Sequence, residues 1–366
     1  MSILIFIVVL GILIFVHELG HFIFAKKTGM FVEEFAIGFP PRIFSFKKGE
    51  TKYSLGLIPI GGFVKILGEE YDEDDCDEKP KNYERRFSNR PKWAQAVVLV
   101  AGVSFNFLLA WILISIGFMS GLPVSVDQFE GETISNQELT LLSILPDSPA
   151  EEAGLMAGDV ILYLETSSDS VQDIKGLDRV ENFIASHGGQ EIDVLYKRGD
   201  ENMLTQLTPK EGIIEGKPAV GVSFGMIGTI KFGVIRAFWE GAKTTFSLTI
   251  DTTVGLFFFV KGLITGSADL SQVSGPIGIV SMVGEAFNFG IIYLLSFVSI
   301  ISINLAVINL IPVPALDGGR LLFVLIEAIK GSPIKAKVAN LLNLIGFVLL
   351  ILLMLVVTFS DISKFF

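Results

Sequence analysis

His17, Glu18 and His21 form a His-Glu-x-x-His run at the end of the apolar stretch Met1 to Val16. On a helix the two histidines lie four residues apart and project from one face, where two imidazoles can grip one metal ion. Glu18 sits beside them, placed to take a proton from a water activated by that ion. Two histidines leave a tetrahedral zinc short of a protein ligand when one position stays open for water. Asp317 is the candidate for that third ligand. The run is short enough to arise by chance on a soluble helix, but here the setting is apolar. Each ionisable group in a membrane segment costs on the order of 2.5 to 3.5 kcal/mol on insertion scales, so three in one apolar helix need a compensating partner. A metal ion is such a partner, and two of the chain's three histidines are spent here.

The composition frames this site. At 366 residues, 51% hydrophobic and a mean hydropathy of +0.60, the chain reads as a membrane protein carrying a soluble insert. The formal net charge of −11 with no basic stripe argues against nucleic acid as a partner. The acidity concentrates in Glu69 to Glu78 and across residues 127 to 215, as solvated faces. A single cysteine, Cys76, excludes an intrachain disulfide and a thiolate-rich metal site, leaving imidazole and carboxylate ligands. The N-terminal apolar run lacks the basic start and small-residue cleavage site of a signal peptide and is expected to stay attached as a span.

The expected fold is a polytopic α-helical membrane protein with four transmembrane helices, a membrane-reentrant β-hairpin or sheet, and an inserted α+β domain. Ser2 to Ala25 is the first span, with Lys26 and Lys27 at its exit. From Phe31 to Leu67 the helical period gives way to β-branched and aromatic residues broken by glycine and proline, which reads as short strands and hairpins. Such a segment can dip into the bilayer only if it is buried against helices or lines a wet cavity, and an edge strand there would offer its backbone to an extended peptide. A second span runs from Ala96 to Met119, where Asn106 is expected to hydrogen-bond between helices. Residues 121–228 form the insert. Phe232 to Ile264, with Arg236, Glu240, Lys243, Asp251 and Lys261, is expected to lie along the interface within a linker region, 229–290. The third span, Ile291 to Ile311, ends at Pro312 and Pro314 just before Leu316-Asp317-Gly-Gly319, and the fourth is Val338 to Phe359. The two membrane cores are thus 1–120 and 291–366. Thirteen Lys and Arg in residues 26 to 96, with Arg320, Lys330, Lys335 and Lys337, are expected on the cytoplasmic side, leaving both termini and the insert on the outer face.

With His17-Glu-Leu-Gly-His21 at one end and Asn309-Leu-Ile-Pro-Val-Pro-Ala-Leu-Asp-Gly-Gly319 at the other, the chain resembles the site-2 protease family of intramembrane zinc metalloproteases, in its RseP-like branch. Gly-Gly-Phe-Val-Lys at 61 to 65 and Ser274-Gly-Pro-Ile extend the likeness. The insert's Ser-Pro-Ala-Glu-Glu-Ala-Gly-Leu-Met-Ala-Gly-Asp159 resembles PDZ domains of bacterial envelope proteases. The resemblance implies Zn2+ on His17, His21 and Asp317, Glu18 as general base, and Asn309 holding the substrate backbone. It implies that residues 35 to 40 and 57 to 66, with Gly38, Phe39, Gly61, Gly62 and Phe63, contact an unwound substrate helix. It implies a PDZ groove at Gly154, Leu155, Gly158 and Asp159. The partners it implies are single-span membrane proteins in the lipid bilayer of a bacterial inner membrane, such as anti-sigma factors or remnant signal peptides. The chain departs from the branch in having space for one PDZ domain, in Val103 where proline often follows Ala-Gly, and in Pro40 where glycine is common. A PDZ-bearing membrane scaffold with a non-catalytic metal site is the alternative, and Glu18 argues against it because a structural site needs no base. A metal transporter fits less well, since internal repeats and several intramembrane carboxylates are lacking.

Overall fold

The computed structural model describes residues 1–69, 82–129, 131–171, 176–199, 201–214, 216–267 and 273–363. Cys76 and nearly all of the acidic run to Glu78 lie outside the described residues. In chain order the main elements are α1 (Ser2–Lys27), β1 (Val32–Lys48), β2 (Thr51–Ile66), α2 (Lys92–Ser120), β3 (Leu122–Ser125), β4 (Ser135–Ile144), α3 (Pro149–Glu152), β5 (Val160–Glu165), β6 (Ser170–Val171), α4 (Leu177–Ser186), β7 (Ile192–Arg198), β8 (Glu201–Leu207), β9 (Lys210–Ile214), β10 (Lys217–Ala219), β11 (Val222–Ile230), α5 (Val234–Thr265), α6 (Pro276–Asn288), α7 (Ile291–Leu310), α8 (Asp317–Lys330) and α9 (Ala336–Ser363). They divide into two units, one formed by Met1–Gly117 with Val234–Phe366 and one by Phe118–Gly233.

In the first unit, five helices are long and apolar enough to cross a bilayer: α1, α2, α5, α7 and α9. Four of them match the expected spans. The fifth, α5, was expected to lie along the interface; it is continuous over 32 residues, long enough to cross, and packs on its neighbours. Trp111 Nε1 donates to Phe238 O at 2.8 Å and Thr252 Oγ1 to Asn304 Oδ1 at 3.2 Å, joining α5 to α2 and α7. The physical reason is the distribution of charge. Arg236, Glu240 and Lys243 sit in its first turns, and Glu240 pairs with Lys243, so the following stretch to Val260 carries Asp251 as its one charge.

Close approach of α1 and α2 rests on glycine. A Cβ on Gly20 would lie 2.5 Å from Ala101 O, so the two backbones touch where any larger residue would separate them. Val9 and Leu13 of α1 then pack with Val283 of α6 and with Leu294 and Val298 of α7. The short helix α6 is held at its N-terminus by Asp361 of α9, whose carboxylate accepts from Gly275 N at 3.0 Å and Gly278 N at 2.9 Å. Lys92 Nζ meets Glu327 Oε2 at 2.5 Å, tying the start of α2 to α8.

The expected short strands are two long, folded ones. Residues 34–37 of β1 pair on one side with Gly62–Lys65 and on the other with Lys52–Leu55, while Arg42–Lys48 pair with Thr51–Gly56. The hairpin is therefore folded into four segments side by side, with 61–66 at one edge and 42–48 at the other. Pro40 and Pro41 sit at the fold of β1, where a missing N–H costs no ladder bond. Glu34, buried, holds that fold by accepting from Arg42 at 2.6 Å and from Ser54.

The second unit carries a mainly antiparallel sheet in the order β3-β11-β4-β5-β7-β8, with β6 beside β5. Alternating residues such as Ile192, Val194 and Tyr196 of β7 pack with Val180, Phe183 and Ile184 of α4.

Candidate metal centre

The chain brings α1, α2 and the α7–α8 connection to one buried point. His17 and His21 leave α1 one turn apart, and their Nε2 atoms lie 3.1 Å from each other. Asp317 Oδ2 is 3.1 Å from His17 Nε2 and 3.2 Å from His21 Nε2. These three atoms form a near-equilateral triangle, close to the roughly 3.3 Å ligand separation of a tetrahedron with zinc–nitrogen bonds of about 2.0 to 2.1 Å. His21 Nδ1 donates to Val98 O at 2.9 Å, so its Nε2 presents a lone pair inward. Asp317 Oδ2 is buried and accepts no hydrogen bond. Acceptor atoms converging in a buried space need a cation between them, and the donor set of two imidazoles and a carboxylate suits a divalent transition ion.

Local sequence explains how Asp317 arrives. Two prolines stop α7, Ala315 takes a left-handed φ of 78°, and Leu316 caps α8 so that Asp317 is its first residue. A Cβ on Gly318 would fall 2.3 Å from Ile311 O, and one on Gly319 2.2 Å from Val313 O, so the turn closes on itself only with two glycines after the aspartate. The same economy of space serves His21. A Cβ on Gly102 of α2 would lie 2.3 Å from His21 Nε2.

Glu18 is half-buried and within electrostatic reach of both imidazoles and Asp317. Its side chain points to the edge segment of β2, where a Cβ on Gly62 would stand 3.6 Å from Glu18 Cγ. Gly61 and Phe63 flank Gly62 on that edge, and no other strand pairs with its outer side among the described residues. Gly38, at φ +79°, and the exposed Phe39 lie at the fold of β1, where a Cβ on Gly61 would strike the Phe39 ring at 2.2 Å. Asn309 lies in the last turn of α7, half-buried, and its side chain hydrogen-bonds to none of the described residues.

In the second unit the expected groove residues are employed internally. Leu155 packs in the core, and Asp159 is 1% exposed, bound by Arg198 Nε and Nη2 at 2.7 Å each and by Met156 N at 2.8 Å. These two side chains hold the turn containing Gly154 and Gly158.

Sequence reasoning missed two parts of α2. Gly102, which makes room for His21, carried no assigned role in the sequence. Asn106 bridges helices as expected, its amide reaching His17 Nδ1 of α1 at 3.3 Å while its backbone carbonyl accepts from Ser302 Oγ of α7 at 2.8 Å; what the sequence did not show is that the partner is one of the two histidines. The available signal was their spacing: residues 102 and 106 share one face of an otherwise apolar helix.

The sequence matches the profile of Peptidase family M50 over residues 5–353. It is 31% identical to the regulator of sigma-W protease RasP of Bacillus subtilis, with 91% of each chain covered. It is 32% identical to the zinc metalloprotease RasP of Geobacillus kaustophilus over 100% of this chain and 98% of that one. A putative zinc metalloprotease of Clostridium perfringens is 36% identical over 90% and 89%. Among solved structures, the PDZ domain of an SdrC-like protein from Listeria innocua aligns at 26% identity, covering 24% of this chain and 92% of that one with a TM-score of 0.20. The chain belongs to Peptidase family M50.

Proposed function

We propose that this protein is a zinc-dependent endopeptidase that hydrolyses peptide bonds in or beside the membrane spans of single-span proteins. The observation that carries the reading is the buried triangle of His17 Nε2, His21 Nε2 and Asp317 Oδ2 with Glu18 alongside. When bound there, zinc supplies Lewis acidity, lowering the pKa of a water from 15.7 to about 7 and polarising a carbonyl. Glu18 takes the proton from the attacking water and returns it to the leaving amine. The free edge at Gly61–Ile66 receives the substrate as an added strand, which exposes amides that a helix would hide. Gly62 lets that strand approach Glu18, and Gly38 and Phe39 support the edge from the fold of β1. Asn309 holds the substrate main chain where it passes the end of α7.

The second unit serves as a PDZ domain that screens what enters, excluding proteins with large outer domains until another protease has trimmed them. The membrane is the bacterial inner membrane, with residues 26–96 cytoplasmic. Both termini on the outer face agree with the packing of α6, a 13-residue helix about 20 Å long, which meets Ser2 at Gly284 and Asp361 at Gly275. The relative named as a regulator of sigma-W makes an anti-sigma factor a suitable substrate class.

The test is cleavage of a tagged single-span substrate by detergent-purified protein, with bound zinc quantified. Glu18→Gln is expected to keep its zinc and lose about 10²- to 10⁴-fold in rate; Asp317→Asn loses both metal and activity. Cleavage by Glu18→Gln at the wild-type rate overturns the assignment.

A further inference from the structure

Asn106 is fully buried in α2, with its Nδ2 3.3 Å from His17 Nδ1 and its Oδ1 without a hydrogen-bond partner. An amide donating to His17 Nδ1 occupies that lone pair and forces the imidazole proton onto Nε2. That proton would then point at His21 Nε2 and Asp317 Oδ2, into the space where the lone pairs converge. A half-turn of the side-chain amide about its last torsion exchanges oxygen and nitrogen at almost no change in shape. The unpartnered oxygen then faces His17 Nδ1, and the imidazole is free to carry its proton there.

We infer that Asn106 is a positioning residue for the metal ligand His17, its Oδ1 accepting the Nδ1 proton so that the Nε2 lone pair is directed at the ion. This inference rests on the metal site proposed above. His21 provides an internal comparison, because its Nδ1 already has an acceptor in Val98 O. Val98 and Asn106 are both on α2, eight residues apart, so one helix supplies the outer acceptor for each histidine. Ligating histidines are characteristically oriented in this way by a second hydrogen bond from the other ring nitrogen. The position of Asn106 is itself fixed, since Ser302 of α7 donates to its backbone oxygen.

The experiment measures zinc affinity by chelator competition for the full-length wild type, Asn106→Leu and Asn106→Asp. Leucine and aspartate approximate the size of asparagine, but only aspartate can accept the Nδ1 proton. Asn106→Leu is expected to bind zinc about 10- to 100-fold more weakly, and Asn106→Asp to stay within a few-fold of wild type. A purely packing or helix-bridging role predicts the reverse, with the buried aspartate worse than leucine. Wild-type affinity in Asn106→Leu, or an equal loss in both variants, overturns the inference. A second measurement needs no variant: ¹⁵N spectra of histidine-labelled, zinc-loaded wild type should show a slowly exchanging proton on His17 Nδ1. Its absence also overturns the inference. Failure of the wild type to bind zinc is a separate result, which removes the metal site and this role together.

Discussion

Substituting Gly102 by alanine adds one methyl group to α2, remote from the chain segments that carry the proposed ligands, yet it should disable the centre. The new Cβ would stand 2.3 Å from His21 Nε2, 2.6 Å from Cε1 and 2.8 Å from Cδ2. Non-bonded heavy atoms rest at roughly 3.5 to 4.0 Å, so the imidazole must retreat by about 1.2 Å or α2 must move away. Neither adjustment is free. His21 Nδ1 is held by Val98 O on the same helix, and α1 and α2 touch backbone to backbone at Gly20 and Ala101. Zinc sites tolerate ligand displacements of about 0.2 Å, several-fold less than the clash demands. Overpacking of this kind costs roughly 1 to 3 kcal/mol, so the protein is expected to fold while losing at least about 10-fold in zinc affinity, with cleavage falling in parallel. Chelator competition and substrate cleavage read the two quantities. Gly11→Ala on α1 is the matched control, because nothing lies within 4 Å of its Cβ position. It should bind zinc as wild type does, with stability unchanged or raised by up to about 1 kcal/mol. If Gly102→Ala binds zinc with wild-type affinity, the reasoning from van der Waals space is refuted.

Asp361→Ala removes the carboxylate that accepts from Gly275 N and Gly278 N and should lower stability by roughly 1 to 3 kcal/mol, read as a drop in melting temperature, with zinc content unaltered. Loss of zinc with no change in melting would contradict that division of roles. At the β1–β2 turn, hydrogen bonds from Arg85 and then Lys26 hold Glu50 down from 4.5 to about 2. The folded state therefore binds the proton less readily than the unfolded one, so this contribution is complete above pH 4.5 and is lost as pH falls through about 2. Because the side chain is 33% exposed and its pairs are screened by solvent, the effect should stay below about 1 kcal/mol. Protease sensitivity of the turn should rise over that interval in wild type and be flat in Glu50→Gln; equal profiles would assign the change to other groups.

Much of the site was legible because its signals are local. The four-residue spacing of His17 and His21 fixes a shared helix face, and an aspartate after two prolines in an apolar chain announces a carboxylate on broken backbone. The length of nearly uninterrupted apolar sequence also located α1, α2, α7 and α9. For α5 the average polarity misled, since its charges cluster in the first turns and leave a long apolar remainder that packs on α2 and α7. In the insert the motif was legible, and the resemblance implied a groove at Leu155 and Asp159; the string could not show that Leu155 packs in the core and that Asp159 pairs with Arg198, thirty-nine residues away.

Sequence alone thus determined which groups could hold a metal and which residue could move a proton, because side-chain chemistry and helical spacing are properties of the chain. Only the tertiary structure decided that Asp317 arrives within 3.2 Å of both imidazoles. It also decided that Gly102 makes room for one histidine and that Asn106 touches the other. Such contacts between residues far apart in the chain depend on how closely helices approach, and that distance is set by the small side chains and backbone atoms that meet between them.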